Sequence, residues 1–157
     1  MQTTDKQLTI SDRIKQPLLQ QGSTGLAVAE LQTLLKTRGF YSGDIDGIFS
    51  PTVKKAVISF QHSVFLVEDG MVGALTWQAL YTGTPVNMPI LILGSRGTMV
   101  TTLQRLLTTT NDYRGAVDGE FGSLTKLAVQ AFQQRWGLVV DGIAGDRTWQ
   151  ALSKVPH

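Results

Sequence analysis

The acids of this chain stand in a pattern that invites a chemical reading. Asp46, Asp69, Asp118 and Asp141 are each followed by glycine. Two carboxylates at a set separation are the machinery of glycoside hydrolysis, so these four are the first place to look for it. An Asp-Gly pair is also the signature of a tight turn. The carboxylate accepts a backbone N–H two residues on, and the glycine takes a positive φ. The turn reading is the stronger. It leaves Asp46 and Asp118 a secondary role as acceptors for the amino or amide groups of a ligand.

Other chemistries find less support. There is no cysteine, and the histidines are His62 and His157. No metal-ligand spacing is present for zinc, and no nucleophile-elbow motif accompanies His62. Gly22-Ser-Thr-Gly25 and Gly94-Ser-Arg-Gly97 each open a helical pattern as a phosphate loop would, but the Gly-Lys-Ser/Thr ending is missing. No catalytic residue, metal or cofactor is expected, and recognition is what remains. Tyr41 and Tyr113 open two matching loops. They either offer a ring face and hydroxyl to a glycan or peptide, or staple the loop. Arg114 and Arg135, with Arg38 and Lys126, either meet carboxylates or are solvated surface charges. Trp136 is either a surface platform beside Arg135 or packing against a neighbouring unit. Trp77 and Trp149 each stand three residues before a leucine on a short helix, and read as core.

The elements that position these residues occur twice. Residues 17–80 align with 89–152 at a constant offset of 72 without a gap, and 31 of the 64 pairs are identical. Chance gives roughly 4, from average residue usage. An active site is seldom built twice in one short chain, whereas a binding module often is, because two weak sites on one ligand give avidity. The chain therefore divides into a polar head (1–16), a first repeat (17–80), a linker of turn residues (81–88), a second repeat (89–152) and a tail (153–157).

Each repeat shows three helical patterns. Val28, Leu31, Leu34 and Leu35 make one face of a helix from about Leu26 to Arg38, and Gly39 stops it. Ser50-Pro51 reads as an N-cap followed by an N1 proline. The helix it starts carries Val53, Ala56, Val57 and Phe60 and ends near Ser63. A short third helix begins near Gly73 and carries Trp77 and Leu80. In the second repeat the corresponding faces are Val100, Leu103, Leu106 and Leu107, then Leu124, Ala128, Val129 and Phe132, then Trp149 and Leu152. The glutamines of Leu31-Gln32, Phe60-Gln61, Leu103-Gln104 and Phe132-Gln133 lie beside these faces, where their amides are expected to tie down loop backbone.

Bulk properties exclude several partners. The formal net charge is +2, with five acids and four bases in the first repeat and five acids and six bases in the second. No basic block of the kind nucleic-acid binding needs is present. No apolar run reaches the 18 or so residues of a membrane span. The opening MQTTDKQLTISDRIKQ has no signal-peptide core, which leaves a retained chain, export without a signal, or a removed leader.

The ordered frame resembles a known family. Gly-x-x-Gly, Leu-Gln-x-x-Leu, Tyr-x-Gly-x-x-Asp-Gly-x-Phe, Ala-Val-x-x-Phe-Gln and Leu-x-x-Asp-Gly-x-x-Gly-x-x-Thr-Trp follow one another in both repeats. This is similar to the peptidoglycan-binding domain 1 family, small three-helix modules found beside cell-wall hydrolases. The resemblance covers both repeats. It implies an all-α fold of two tandem three-helix bundles, non-catalytic binding of bacterial cell-wall peptidoglycan through its glycan or stem peptide, and a place in the cell envelope or outside the cell. Binding is expected in shallow grooves between helices, with Tyr41, Asp46, Tyr113, Arg114, Asp118, Arg135 and Trp136 as the candidate ligand-binding residues. Two alternatives stand beside it. One is a targeting subunit or fragment of a cell-wall hydrolase. The other is a protein-interaction scaffold that has kept the fold and lost the ligand, which a cytoplasmic location would favour. Three positions depart from the family pattern, which has glycine where Ser50, Phe65 and Asn111 stand. Phe65 is expected to distort the turn after the second helix, making the second repeat the better preserved binder.

Overall fold

The computed structural model describes residues 16–157, so the expected polar head lies outside the described residues except for Gln16. Among the described residues there are six α-helices and no strand longer than an isolated bridge. They fall into two compact units divided between Val86 and Asn87. The first holds α1 (Leu26–Thr37), α2 (Pro51–Ser63) and α3 (Ala74–Thr82). The second holds α4 (Thr98–Thr109), α5 (Ser123–Arg135) and α6 (Asp146–Leu152). The all-α, three-helix expectation holds for each.

Each unit folds because three apolar faces of helical period close on one another. In the first, Val28, Leu31 and Leu35 of α1 meet Val53, Val57 and Phe60 of α2 and Trp77 and Leu80 of α3. Leu34 is only partly buried. In the second, Val100, Leu103, Leu106 and Leu107 of α4 share the interior with Ala128, Val129 and Phe132 of α5 and Trp149 and Leu152 of α6. One expectation fails here. Leu124, read as part of the inward face of α5, is 62% exposed, and Thr125 is buried instead. A one-residue shift turns a helical side chain by about 100°. The cost of burying Thr125 is met when its hydroxyl accepts a hydrogen bond from Gln104 Nε2 at 3.1 Å.

The two core tryptophans also anchor the chain ahead of each bundle. Trp77 Nε1 donates to the Pro17 carbonyl and Trp149 Nε1 to the Pro89 carbonyl, both at 2.9 Å. A two-way backbone pair then joins Leu19 to Val72, and Leu91 to Ala144.

Helices α1, α2, α4 and α5 all end in the same motif, in which the chain turns through a left-handed residue and two N–H groups reach back to carbonyls of the last turn. The left-handed residues are Gly39, Phe65, Asn111 and Gly137. Phe65 (φ 64°) does not distort its turn. Phe65 N–H donates to His62 O at 3.2 Å and Leu66 N–H to Gln61 O at 2.9 Å. The matching bonds at Gly137 (φ 69°) have the same lengths. The phenylalanine is carried as local backbone strain of about 1–2 kcal/mol, because the motif around it closes the helix. At Ser50 the hydroxyl accepts from Val53 N–H at 3.3 Å, giving α2 the side-chain cap that α5, capped by Gly122, lacks. Helix α3 runs two residues past Leu80 into the segment read as linker and ends at Gly83.

Candidate functional site

Four buried glutamines each hold one of the Asp-Gly loops. Gln32, Gln61, Gln104 and Gln133 are all within 1% of complete burial. Each Oε1 accepts the N–H of the glycine in an Asp-Gly pair: Gly47 at 2.9 Å, and Gly70, Gly119 and Gly142 at 3.0 Å. Each Nε2 donates to the paired aspartate, at 2.8 Å to Asp46, 3.0 Å to Asp69, 3.1 Å to Asp118 and 2.9 Å to Asp141. Each aspartate Oδ1 in turn accepts the N–H two residues on, from Ile48, Met71, Glu120 and Ile143.

The aspartates are therefore turn acceptors and not acid–base pairs. The Gln32 amide, then the Ile48 N–H, holds Asp46 below the usual carboxylate range. The Glu120 and Ile143 N–H groups, then the glutamine amides, do the same for Asp118 and Asp141. A general acid at neutral pH needs the opposite shift. No group of three or more His, Cys, Asp or Glu residues that could hold a metal occurs among the described residues.

Gln61 and Gln133 reach one element further. Gln61 Nε2 also donates to Thr76 Oγ1 at 3.2 Å, and Gln133 Nε2 to Thr148 Oγ1 at 3.1 Å. One carboxamide thus fastens the loop after the second helix to the start of the third. Between these two walls lies a groove, and it occurs in both units. In the first it has a volume of about 340 Å³, between Leu66, Val67 and Met71 on one side and Ala74, Leu75 and Thr76 on the other. In the second it has about 500 Å³, between Leu138, Val139 and Ile143 and Asp146, Arg147 and Thr148. Every one of these residues pairs with its partner at the offset of 72. The lining combines an apolar wall with a few fixed polar groups, which is the usual make-up of a recognition groove. A further cleft of about 460 Å³ in the first unit lies among Leu26, Ala29, Ile45 and Ile48 beside Asp46.

The seven residues singled out from sequence do not converge on one site. Tyr41 and Tyr113 close their own loops: the hydroxyls donate to Asp44 O at 2.7 Å and Ala116 O at 2.6 Å. The rings lie so close over Gly43 and Gly115 that a Cβ there would meet the phenol oxygen at 2.6–2.7 Å. Tyr113 is buried. Arg135 is engaged with Asp112 at 2.6 Å and lies over the Phe132 ring. Trp136, 40% exposed, stacks on Phe132 with centroids 5.5 Å apart. Asp46 and Asp118 hold their turns, and Arg114 is exposed without an ion pair among the described residues. Arg38 serves the fold, donating to Leu80 O and Tyr81 O at the end of α3. Sequence reading passed over the groove at Leu66–Thr76 and Leu138–Thr148. Its signal was present in the recurring Gln61…Thr76 and Gln133…Thr148 pairs, which looked like core and turn residues.

Comparison with known proteins places this geometry in a family context. A family model described as "Putative peptidoglycan binding domain" matches residues 24–80 and 96–152, more than half of the chain. The chain is 30% identical over 152 residues to the N-acetylmuramoyl-L-alanine amidase CwlM of Mycobacterium tuberculosis, covering 83% of this chain and 36% of that protein. It is 38% identical over 78 residues to the spore cortex-lytic enzyme of Bacillus cereus, covering 50% of this chain and 30% of that enzyme. It thus spans about a third of the length of these relatives. Among solved structures, the SleB N-terminal domain is 39% identical, with 44% of this chain and 94% of that one covered and a TM-score of 0.43.

Proposed function

The chain belongs to the peptidoglycan-binding domain family, and from that membership we propose that it is a non-catalytic binder of bacterial cell-wall peptidoglycan which docks the polymer in two grooves, one in each unit. The observation that supports this reading most is the recurrence of one groove, held by one buried glutamine, at the same place in both repeats. An apolar wall with a few placed polar groups suits recognition of one segment of a polymer. Its apolar wall fits the N-acetyl and lactyl groups of the glycan and the alanyl groups of the stem. The fixed hydroxyl and carboxylate groups supply orientation.

Each site taken alone is weak, with a Kd in the high micromolar to millimolar range, about −4 to −6 kcal/mol. Linking two such sites on one repeating polymer raises the overall affinity by about 10²–10⁴. The reading places the protein at the cell wall, by whatever route it arrives. Its relatives in the amidase and cortex-lytic groups extend well beyond the matched region. That observation favours a second, compatible reading in which this pair of modules targets a wall hydrolase.

The test is co-sedimentation of the purified chain with insoluble peptidoglycan sacculi, with the supernatant assayed for released sugar and peptide. Saturable pelleting without release supports a non-catalytic binder. Release of soluble fragments sinks the non-catalytic half of the reading. Failure of the folded chain to pellet with several wall types sinks the whole of it.

A further inference from the structure

The two grooves share their framework but not their charge. Position for position they agree at Gln61/Gln133, Leu66/Leu138, Val67/Val139, Asp69/Asp141 and Thr76/Thr148. They also differ at Met71/Ile143, apolar in both, and they part in charge or size at three places. Ala74 is replaced by Asp146 and Leu75 by Arg147, all four lining their grooves. Phe65 is replaced by Gly137, which itself lines the second groove. The second groove is the larger, at about 500 Å³ against about 340 Å³.

Asp146 and Arg147 are exposed, and neither makes an ion pair among the described residues. They contrast with Arg135, whose guanidinium is already held by Asp112. The second groove therefore presents one unspent cation and one unspent anion beside an apolar wall. The first presents Ala74 and Leu75 at the same places. On the wall-binding reading, the charged part of the polymer is its peptide stem. The stem carries free carboxylates and, at its diamino acid, an ammonium group.

Resting on that reading, we propose that the units divide the polymer between them. The second groove is selective for the ionised stem peptide, with Arg147 taking a carboxylate and Asp146 the ammonium. The first groove makes contacts that do not depend on charge. The argument is one of charge complementarity. A guanidinium–carboxylate bond gives orientation as well as energy, and it is available in one groove only.

The test uses the full chain and a synthetic stem peptide, L-Ala-γ-D-Glu-L-Lys-D-Ala, titrated with amide chemical shifts as the readout. A second titration uses the same peptide with its carboxylates amidated. The free peptide is expected to shift residues 137–148 and leave 65–76 largely unmoved, with the amidated peptide at least about tenfold weaker. Arg147→Leu, which installs the residue of the first unit at an exposed position, is expected to lower affinity for the free peptide at least about tenfold. The double change Ala74→Asp with Leu75→Arg is expected to bring residues 65–76 into the response. Equal binding of free and amidated peptide, an unchanged Arg147→Leu, or an equal response from both grooves in the parent chain would each overturn the proposal. So would the absence of any peptide response from a chain that still pellets with sacculi, and in that case wall binding itself would stand. Loss of pelleting altogether would remove the wall-binding reading and this proposal with it.

Discussion

Gln133 makes five hydrogen bonds with one carboxamide: it accepts from the Asp141 and Gly142 N–H groups and donates to Asp141 Oδ1, Ile143 O and Thr148 Oγ1. Removing it strands the buried Gly142 N–H and takes a partner from the Asp141 N–H, the Ile143 carbonyl and the buried Thr148 hydroxyl, which keeps its bond to Ile143 O. Each stranded group costs about 1–3 kcal/mol. Gln133→Ala is therefore expected to destabilise the second unit by about 2–4 kcal/mol in urea denaturation. The same holds for Gln61→Ala in the first unit. The aspartates set a pH dependence whose sign is fixed. Asp46, Asp118 and Asp141 have folded-state values below the ordinary one. Their stabilising contribution is fully present above the unfolded value of about 3.9. It is lost as pH falls through the lower, folded values. The urea midpoint should thus change little on these groups' account between pH 7 and 5 and fall below about pH 4. Asp118→Asn and Asp141→Asn should each lower the midpoint at pH 7 and flatten the acid limb. A parent chain whose midpoint holds steady to pH 2.5 would contradict this account of the turns.

At the scale of elements, the ends of helices carry as much information as their faces. The turn after α5 needs a left-handed residue at Gly137, and a Cβ there meets nothing within 4 Å. Any penalty for filling the position is thus backbone strain alone. Gly137→Ala is expected to cost about 1–2 kcal/mol, and Gly137→Asn clearly less, since Asn111 already occupies the equivalent place after α4. Equal cost for the two would refute the left-handed argument. The same turns show where sequence was legible. Periodicity found the helices, Ser50-Pro51 marked the start of α2, and the Asp-Gly pairs announced turns that the structure forms. Leu124 was misplaced because Leu124 and Thr125 differ by one position. Hydrophobicity favours the leucine, while the register of Ala128, Val129 and Phe132 demands the threonine. The groove was missed for a different reason. It arises when two neighbouring walls, 66–71 and 74–76 in the first unit, are fastened through Gln61, a residue of the preceding helix that looks like core. Tyr41, Tyr113 and Arg135 attracted attention as exposed-type residues. Their polar groups proved to be spent on Asp44, Ala116 and Asp112.

For the whole molecule, the duplication is the functional statement. A net charge of +2 over 157 residues provides little long-range attraction to a wall. Affinity has to come from contacts made twice. Val67 and Val139 line the two grooves and are 78% and 79% exposed, so a charge placed on either does not burden the core. The most direct measurement is the pelleting isotherm of four versions of the 157-residue chain on one preparation of sacculi: the parent, Val67→Asp, Val139→Asp and the double variant, each shown by circular dichroism to be folded. Two grooves acting together predict that either single change weakens apparent affinity by at least about tenfold and that the double change abolishes pelleting. A double variant that binds like the parent would place the ligand elsewhere on the surface and contradict the account.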